Sequence, residues 1–127
     1  MTVAEFVERY YLHDSGIEQI DFDADKRTLA LTIDFCFWWQ SWYDKSTPPN
    51  GFICVTFKDV SLFSYDNSTA DRIFADELDN EILDADLDER GTLTLGIYDY
   101  LPPEETFYQL KICAATVEVT VLERYNP

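Results

Sequence analysis

Hydrophobic and polar residues alternate over residues 28–37, in the stretch TLALTIDFCF. A repeat of two residues over this length predicts a β-strand with one buried face. Residues 17–23 alternate similarly and lead into a polar turn, so residues 17–37 predict an antiparallel hairpin. The buried face of the longer strand would carry Leu29, Leu31, Ile33, Phe35 and Phe37.

A short helix is predicted at the start of the chain. Thr2 and Glu5 have the spacing of a capping box, in which each side chain binds the backbone N–H of the other residue. Apolar residues then recur at helical spacing, which predicts an amphipathic helix over residues 3–11 that packs on a sheet. Gly16 marks the turn that follows this helix.

Further strands are predicted along the rest of the chain, over residues 52–63, 82–88, 92–100 and 106–123. The alternation slips by one residue at Lys58-Asp59 and again near Ala114-Ala115, and we expect a β-bulge at each slip. The dipeptide Pro102-Pro103 ends the strand before it, because proline has no N–H to donate to a sheet. Residues 70–81 fit either a helical face or a short irregular strand.

These elements predict a single α+β domain over residues 1–127 that is mainly antiparallel β. A short N-terminal helix would pack on a strongly bent sheet, or on a partly closed barrel or sandwich, of about six strands. The length suits one domain with an ordinary core, and no linker or internal repeat divides the sequence.

Composition narrows the class of protein. The chain is 46% hydrophobic and 16% aromatic, which argues against disorder. No apolar run approaches the roughly 18 residues of a membrane helix. The first residues, MTVAEFVERYY, contain acids and lack the apolar region of a secretory signal. We therefore expect a cytoplasmic protein.

Charge is the most unusual feature of the sequence. The chain has 25 acidic and 9 basic residues, which give a formal net charge of −16. Such a chain repels phosphate backbones and anionic membrane surfaces, so we expect it to bind neither nucleic acid nor membranes. It would attract a basic protein partner. The alternative is that the charge serves solubility alone.

Nearly half of this net charge lies in residues 76–90, which hold eight acids and one base. Concentrated charge of one sign repels itself in the folded state, which a partner or a cation would relieve. A solvated face is the alternative explanation. The candidate partner-binding acids are Asp76, Glu77, Asp79, Glu81, Asp84, Asp86, Asp88 and Glu89.

A second candidate surface is aromatic. All three tryptophans lie within residues 38–43, together with Tyr43. Four aromatic residues in six positions cannot all face one side of a strand. An exposed Trp38, Trp42 or Tyr43 would be typical of an interface hot spot. The alternative is that these rings fill the core at the end of the sheet.

Two motifs resemble chemical sites without matching them. Residues 13–15 are His, Asp and Ser, but a hydrolase triad needs side chains that converge from separate elements, so we expect these to cap and pack locally. Residues 21–25 and 84–88 read Asp-x-Asp-x-Asp like the start of a calcium loop. Both then lack the glycine at position six and the glutamate at position twelve. We therefore expect the aspartates of both segments to be outward-facing acids in alternating strands, and a weak cation site is the alternative.

Three cysteines, Cys36, Cys54 and Cys113, lie within apolar stretches and form no C-x-x-C pair. We expect them to be buried free thiols that act as small hydrophobic side chains. With a single histidine in the chain, a zinc site is disfavoured. The sequence therefore predicts no catalytic residue, no metal and no cofactor.

Three segments carry a family resemblance: YYLHDSGIEQIDFD (residues 10–23), LALTIDFCFWWQSWY (29–43) and KICAATVEVTVLE (111–123). The chain resembles a group of small acidic bacterial proteins that share a Leu-His-Asp-Ser segment, then Ile-x-x-Ile and an acidic hairpin. Many of them look like immunity proteins of polymorphic-toxin systems, and others are uncharacterised. The sharpest motif, Leu12 to Ile20, looks structural. The resemblance implies an intracellular protein that neutralises a toxin.

Charge and resemblance together predict a non-enzymatic, toxin-neutralising immunity protein. Its acidic segment 76–90, with Asp21, Asp23 and Asp25, would cover the basic active-site cleft of a partner, for which a cationic nuclease toxin is the natural candidate. Aromatic residues near Trp42 would add apolar anchors. The alternative is a structural or regulatory domain that forms a homodimer through its aromatic end, and an enzyme ranks third.

Overall fold

The computed structural model describes residues 1–126, which form eight β-strands and three short helical segments. The strands are β1 (Gly16–Asp23), β2 (Thr28–Cys36), β3 (Asn50–Lys58), β4 (Leu62–Asp66), β5 (Asn80–Leu87), β6 (Leu93–Asp99), β7 (Thr106–Cys113) and β8 (Thr116–Tyr125). The helical segments are α1 (Val3–Arg9), a 3-10 turn (Phe37–Trp39) and α2 (Ala70–Ile73). None of these helices has the length and apolar character of a segment that crosses a bilayer.

The strands form two four-stranded antiparallel sheets that share one hydrophobic core. The first sheet has the order β1-β2-β3-β8 and the second has the order β4-β7-β6-β5. The predicted buried face of β2 is confirmed, and Phe37 continues it into the 3-10 turn. A mainly antiparallel fold with a short helix is confirmed. The single bent sheet, the partly closed barrel and the number of six strands are wrong, because residues 1–126 form two four-stranded sheets around one core, which corresponds to the sandwich alternative.

The predicted N-terminal helix is confirmed, and it ends at Arg9 rather than at residue 11. Thr2 Oγ1 accepts a hydrogen bond from Glu5 N at 3.1 Å, and the Glu5 carboxylate accepts one from Thr2 N at 2.9 Å, which completes the capping box. Tyr10 is already extended, and its ring packs against Phe35 of β2 at 5.8 Å between ring centroids. Within the helix, the ring of Phe6 lies edge-on to Phe57 of β3 at 6.0 Å, and the helix also contacts β5, so its apolar face packs on the sheets as predicted.

The two predicted bulges at Lys58-Asp59 and Ala114-Ala115 are wrong, because the chain leaves one sheet for the other at both places. Asp59 adopts a positive φ of 53° between β3 and β4. The two crossings lie side by side, since Ala115 N donates to the carbonyl oxygen of Lys58 at 3.0 Å. A change of sheet shifts the phase of the alternation just as a bulge does, because both strands still direct apolar residues into the same core.

Bulges occur at three other positions, where the alternation predicts none. The register shifts at Glu18 in β1, at Leu83 in β5 and at Leu122 in β8, so each of these residues has no partner in the neighbouring strand. A bulge re-aims the side chains on either side of it. The bulge at Leu83 lies within the acidic segment 76–90.

The edge strands β1 and β5 meet along a short seam that joins the two sheets. Asp14 N donates to Ile82 O at 3.1 Å, and Ile82 N donates to Ser15 O at 2.7 Å. The Asn80 side chain adds two more bonds, from Ile17 N to its Oδ1 at 2.7 Å and from its Nδ2 to Ile17 O at 2.9 Å. The Leu-His-Asp-Ser segment therefore lies directly against the acidic strand.

The ambiguous residues 70–81 form the single-turn helix α2, then a loop, and then the start of β5. Arg72 of α2 anchors this region through a buried ion pair, in which its Nη2 donates to Asp99 Oδ2 at 2.7 Å. The same nitrogen donates to the carbonyl oxygen of Leu101 at 2.8 Å. Arg72 thus fastens the loop before β5 to the end of β6.

Candidate functional site

Three of the predicted acids project from one face of the second sheet. Glu81 pairs with Tyr98 of β6, Asp84 with Gly96, and Asp86 with Thr94. These β6 residues alternate with the buried Leu93, Leu95 and Ile97, so they and the three acids point away from the core. The bulge at Leu83 is what makes this possible, because without it Glu81 and Asp84 would lie on opposite faces.

Exposed aromatic rings lie beside these acids on the same face. Phe107 of β7 pairs with Tyr98, which continues the row that begins at Glu81. The ring centroids of Tyr98 and Tyr100 lie 4.8 Å apart with an interplanar angle of 53°, and Tyr100 donates from its hydroxyl to the Glu81 carboxylate at 3.0 Å. We call this surface the acidic–aromatic face, and it comprises Glu81, Asp84, Asp86, Tyr98, Tyr100 and Phe107.

Hydrogen bonds hold the two tyrosines of this face in a fixed, neutral state. Tyr98 donates to Glu105 at 2.9 Å, which raises the pKa of the Tyr98 hydroxyl. The bond from Tyr100 to Glu81 raises the pKa of Tyr100 for the same reason. Both phenols therefore stay protonated and oriented beside the carboxylates at neutral pH.

The acidic–aromatic face carries little compensating charge. Lys111 lies on the same face, but it pairs with Asp66 of β4 at 3.0 Å. Within residues 1–126, no lysine or arginine forms an ion pair with any of the eight predicted acids. The negative charge of this face is therefore left for solvent or for a partner.

Two of the eight acids also support the fold. Asp88 Oδ1 accepts hydrogen bonds from the backbone N–H groups of Arg90 and Thr92, both at 2.9 Å, and so closes the β5–β6 hairpin. Asp84 Oδ1 accepts one from Gly96 N at 3.1 Å. The remaining loop and turn acids are exposed and lie outside the sheet face: Asp76, Glu77, Asp79 and Glu89.

Two of the predicted aromatic contact residues, Trp42 and Tyr43, are half-buried and engaged in packing. Trp42 Nε1 donates to the carbonyl oxygen of Arg9 at 2.9 Å, and its ring lies edge-on to Phe37 at 6.1 Å. The Tyr43 hydroxyl donates to Thr47 O at 3.0 Å. These contacts give both rings a structural role, and a partner contact through them stays a prediction.

Trp38 and Trp39 form the exposed part of the aromatic segment, together with Tyr11. The two indoles stack at 4.4 Å with an interplanar angle of 26°, and they are 45% and 41% exposed. Tyr11, which is 52% exposed, lies edge-on to Trp39 at 5.9 Å. We call Tyr11, Trp38 and Trp39 the tryptophan patch.

The buried Gln40 sets the position of this patch. Its amide oxygen accepts from Tyr11 N, and its Nε2 donates to Tyr11 O, both at 2.8 Å. The same Nε2 donates to Cys36 O at 2.9 Å. Because Gln40 satisfies these backbone groups, the segment at Tyr11 and the 3-10 turn hold each other in place.

The residues His13, Asp14 and Ser15 do not converge as a catalytic triad. Ser15 is fully buried, and its hydroxyl accepts from Cys36 N at 3.3 Å. His13 Nδ1 donates to Leu83 O at 2.9 Å, and its Nε2 lies 3.3 Å from Asp14 Oδ1. Ser15 thus caps a backbone N–H of β2, and His13 reaches β5, so the predicted local capping at the helix–strand junction is wrong: these side chains join separate strands.

An acidic cleft of about 360 Å³ opens beside the seam. It is lined by the carboxylates of Asp14, Glu18, Asp34 and Asp79, and no lysine or arginine lines it. Burial, with the nearby charges of Asp34 and Asp79, raises the pKa of Glu18. Tyr125 donates to Asp34 at 2.6 Å, and burial together with this bond raises the pKa of Tyr125 to about 12.

Neither the cleft nor the cysteines make a metal centre. Within residues 1–126, no group of three or more histidine, cysteine, aspartate or glutamate side chains is placed to hold a metal ion. The three cysteines are free, as predicted, but half-buried rather than buried, because they lie on the outer faces of the sheets or at a strand end. Burial raises the pKa of the Cys36 thiol, which opposes thiolate formation.

The two surfaces predicted separately from the sequence lie next to each other. His13 contacts Leu83 of β5 through its Nδ1 and the ring of Trp39 edge-on at 6.5 Å. The predicted contact residues did not include Trp39 and Tyr11 of the tryptophan patch, nor Tyr98, Tyr100 and Phe107 of the acidic–aromatic face. Of these residues, only the two tyrosines could have been predicted to face outward, because they alternate with the apolar residues of β6.

Comparison with protein-family models and with curated proteins gives no match for this chain. The chemistry of its own surfaces must therefore support any functional conclusion. Those surfaces combine unpaired carboxylates with exposed aromatic rings, which is a composition suited to binding.

Proposed function

We propose that this chain is a non-enzymatic binding protein whose acidic–aromatic face covers a basic surface of another protein. The observation that supports this most directly is the row of Glu81, Tyr98 and Phe107, with Asp84 and Asp86 on the same face. Carboxylates that form no ion pair within residues 1–126 provide charge complementarity, and rings held by hydrogen bonds provide apolar contact area at low entropic cost.

The electrostatics favour a basic partner over other classes of ligand. A net charge of −16 steers cationic surfaces toward the chain and repels anionic ones. Nucleases have basic clefts because they bind phosphate. A row of carboxylates on a sheet face is negatively charged, as phosphate is, and so suits the same cleft. A cationic nuclease toxin is therefore the partner that we propose.

The proposed biological role is that of an immunity protein, which blocks the toxin by covering its cleft. The family resemblance of the chain as a whole supports this role, and its sharpest motif, residues 12–20, is structural. That segment forms the seam with β5, and so the resembling residues are those that position the acidic strand. The proposal involves no cofactor and no chemistry by the chain itself.

The role is tested by a growth-protection assay that uses the reading frames next to this chain's own gene in the source organism. Each neighbouring reading frame is expressed alone and with this chain, and we expect one product to arrest growth alone and to be tolerated with the chain. The double variant Glu81→Lys/Asp86→Lys should lose protection. The control Glu8→Lys/Glu123→Lys changes the net charge equally at exposed positions of α1 and β8, and it should protect fully.

Two outcomes would overturn the proposal. One is full protection by the Glu81→Lys/Asp86→Lys variant, which would show that the acidic–aromatic face is not the contact. The other is a chain that protects against no neighbouring product and sediments as a homodimer, as the alternative of a self-associating domain predicts.

A further inference from the structure

We propose that the tryptophan patch binds an arginine side chain of the basic partner, with the guanidinium against the open face of Trp38. This inference rests on the proposed function and adds to it the residue type that the partner presents at a second, adjacent contact. Four observations support it. One face of the Trp38 ring is open, and Trp39 supports the other face. Arginines of the chain already occupy the neighbouring rings, and the surrounding charge is negative.

The outer face of Trp38 is open. Trp39 covers one face of the ring at 4.4 Å, and within residues 1–126 no other aromatic ring contacts Trp38. Its exposure of 45% is high for a residue that stacks on another indole. Large aromatic rings with one free face are preferred platforms for cations and for partner side chains.

The ring behind Trp38 is held firmly. Trp39 Nε1 donates to Asp14 Oδ2 at 3.3 Å, and the rings of Tyr11 and His13 lie edge-on to it at 5.9 and 6.5 Å. Trp39 therefore has little freedom to rotate. A platform with a fixed backing loses less side-chain entropy on binding than two independent exposed rings would lose.

The chain's own arginines already occupy the neighbouring rings of the same segment. The guanidinium of Arg124 lies 4.0 Å from the centroid of Phe37, and that of Arg9 lies 4.7 Å from Trp42. Among residues 1–126, no such cation lies over Trp38 or Trp39. The segment thus repeats one interaction along its length and leaves its most exposed ring without an internal cation.

The negative charge around the tryptophan patch favours a positively charged ligand. Asp14, which contacts Trp39, also lines the acidic cleft with Glu18, Asp34 and Asp79. A cation over Trp38 is therefore attracted both by the ring and by these carboxylates. Arginine is favoured over lysine, because its planar guanidinium stacks on aromatic faces and is more weakly hydrated.

The test compares two blocked heptapeptides of equal charge, acetyl-GRGRGRG-amide and acetyl-GKGKGKG-amide, by NMR titration of the ¹⁵N-labelled chain at low salt. We expect the indole N–H signals of Trp38 and Trp39 to shift with the arginine peptide, while that of Trp42, which donates to Arg9 O, stays in place. Binding should be about fivefold tighter for arginine than for lysine.

Two variants distinguish the contribution of the aromatic ring of Trp38 from that of apolar surface area. Trp38→Leu keeps apolar surface and removes the aromatic face, so the arginine preference should vanish while the amide spectrum remains that of the folded chain. The control is Phe74→Ala, which removes a ring that is 41% exposed and contacts Phe63 and Tyr65 instead. This control should keep the full preference.

Three results would overturn the inference. They are equal affinities for the two peptides, an arginine preference that survives Trp38→Leu, and indole shifts that depend on protein concentration without peptide, because the last would mean that a second copy occupies the patch. None of them decides the proposed function, which is tested by protection with Glu81→Lys/Asp86→Lys.

Discussion

His13 Nδ1 lies 2.9 Å from the carbonyl oxygen of Leu83, the residue that bulges out of β5. A bulged residue leaves its backbone groups without partners in the neighbouring strand, and the imidazole satisfies one of them. The same contact joins the loop that carries Tyr11 to the strand that carries Glu81, Asp84 and Asp86. One hydrogen bond thus connects the tryptophan patch with the acidic–aromatic face.

Loss of this bond should reduce stability modestly. We expect His13→Ala to lower the free energy of unfolding by about 1 kcal/mol, since it leaves the Leu83 carbonyl without its donor. Urea unfolding followed by far-UV circular dichroism measures this change. Lys45→Ala, at an exposed loop position, is the control and should leave the midpoint unchanged. An unchanged midpoint for His13→Ala would contradict the structural role of this contact.

Gly96 gives the Asp84 carboxylate and the Phe107 ring room on the acidic–aromatic face. A Cβ atom at position 96 would collide with the carboxylate and crowd the ring. We expect Gly96→Ala to cost about 0.5 kcal/mol of stability, because the Asp84 carboxylate is the exposed end of a side chain that can move aside. The double variant Gly96→Ala/Asp84→Ala should recover part of that loss, because the colliding group is gone. Additive losses in urea unfolding would contradict this explanation.

The buried pair of Arg72 and Asp99 should be among the most sensitive sites of the chain. Arg72→Ala would leave a carboxylate that is only 5% exposed without its cation, and we expect a loss of about 3 kcal/mol or more. Asp66→Asn breaks the more exposed pair with Lys111 and should cost less than about 1 kcal/mol. Equal midpoints for the two variants in urea would contradict the difference in burial.

Glu18 should make stability depend on pH in a specific direction. Because burial raises its pKa in the folded state, the folded chain holds this proton more tightly than the unfolded chain, and stability decreases as pH rises through the raised pKa. Glu18→Gln should therefore be more stable than the parent at pH 7, and the gain should disappear at about pH 4. A gain that is the same at both pH values would contradict the raised pKa.

Alternation predicted most of the strands, because a buried face imposes a period of two on the sequence. The residues Leu29, Leu31 and Ile33 are buried as the pattern predicts. The same pattern could not separate a bulge from a change of sheet at Lys58-Asp59, since both shift the phase by one residue. The prediction of about six strands is too low for that reason, because residues 52–63 and 106–123 each contain two strands of different sheets.

The candidate site was partly predictable. The acids of β5 were evident from charge alone, but the bulge at Leu83 that aligns Glu81 with Asp84 has no sequence signature. The choice of which tryptophan is exposed depends on the 3-10 turn at residues 37–39, which breaks the period of two. Trp42 therefore faces the helix while Trp39 faces solvent, the opposite of what continued alternation suggests.

The most direct test of the central claim is a pull-down from lysate of the source organism, with neighbouring reading frames co-expressed, at low and at high salt. The parent chain and the Glu8→Lys/Glu123→Lys control should capture the same basic protein at low salt and release it at high salt, while Glu81→Lys/Asp86→Lys should capture none. Equal capture of that protein by Glu81→Lys/Asp86→Lys would contradict the claim that the acidic–aromatic face forms the interface.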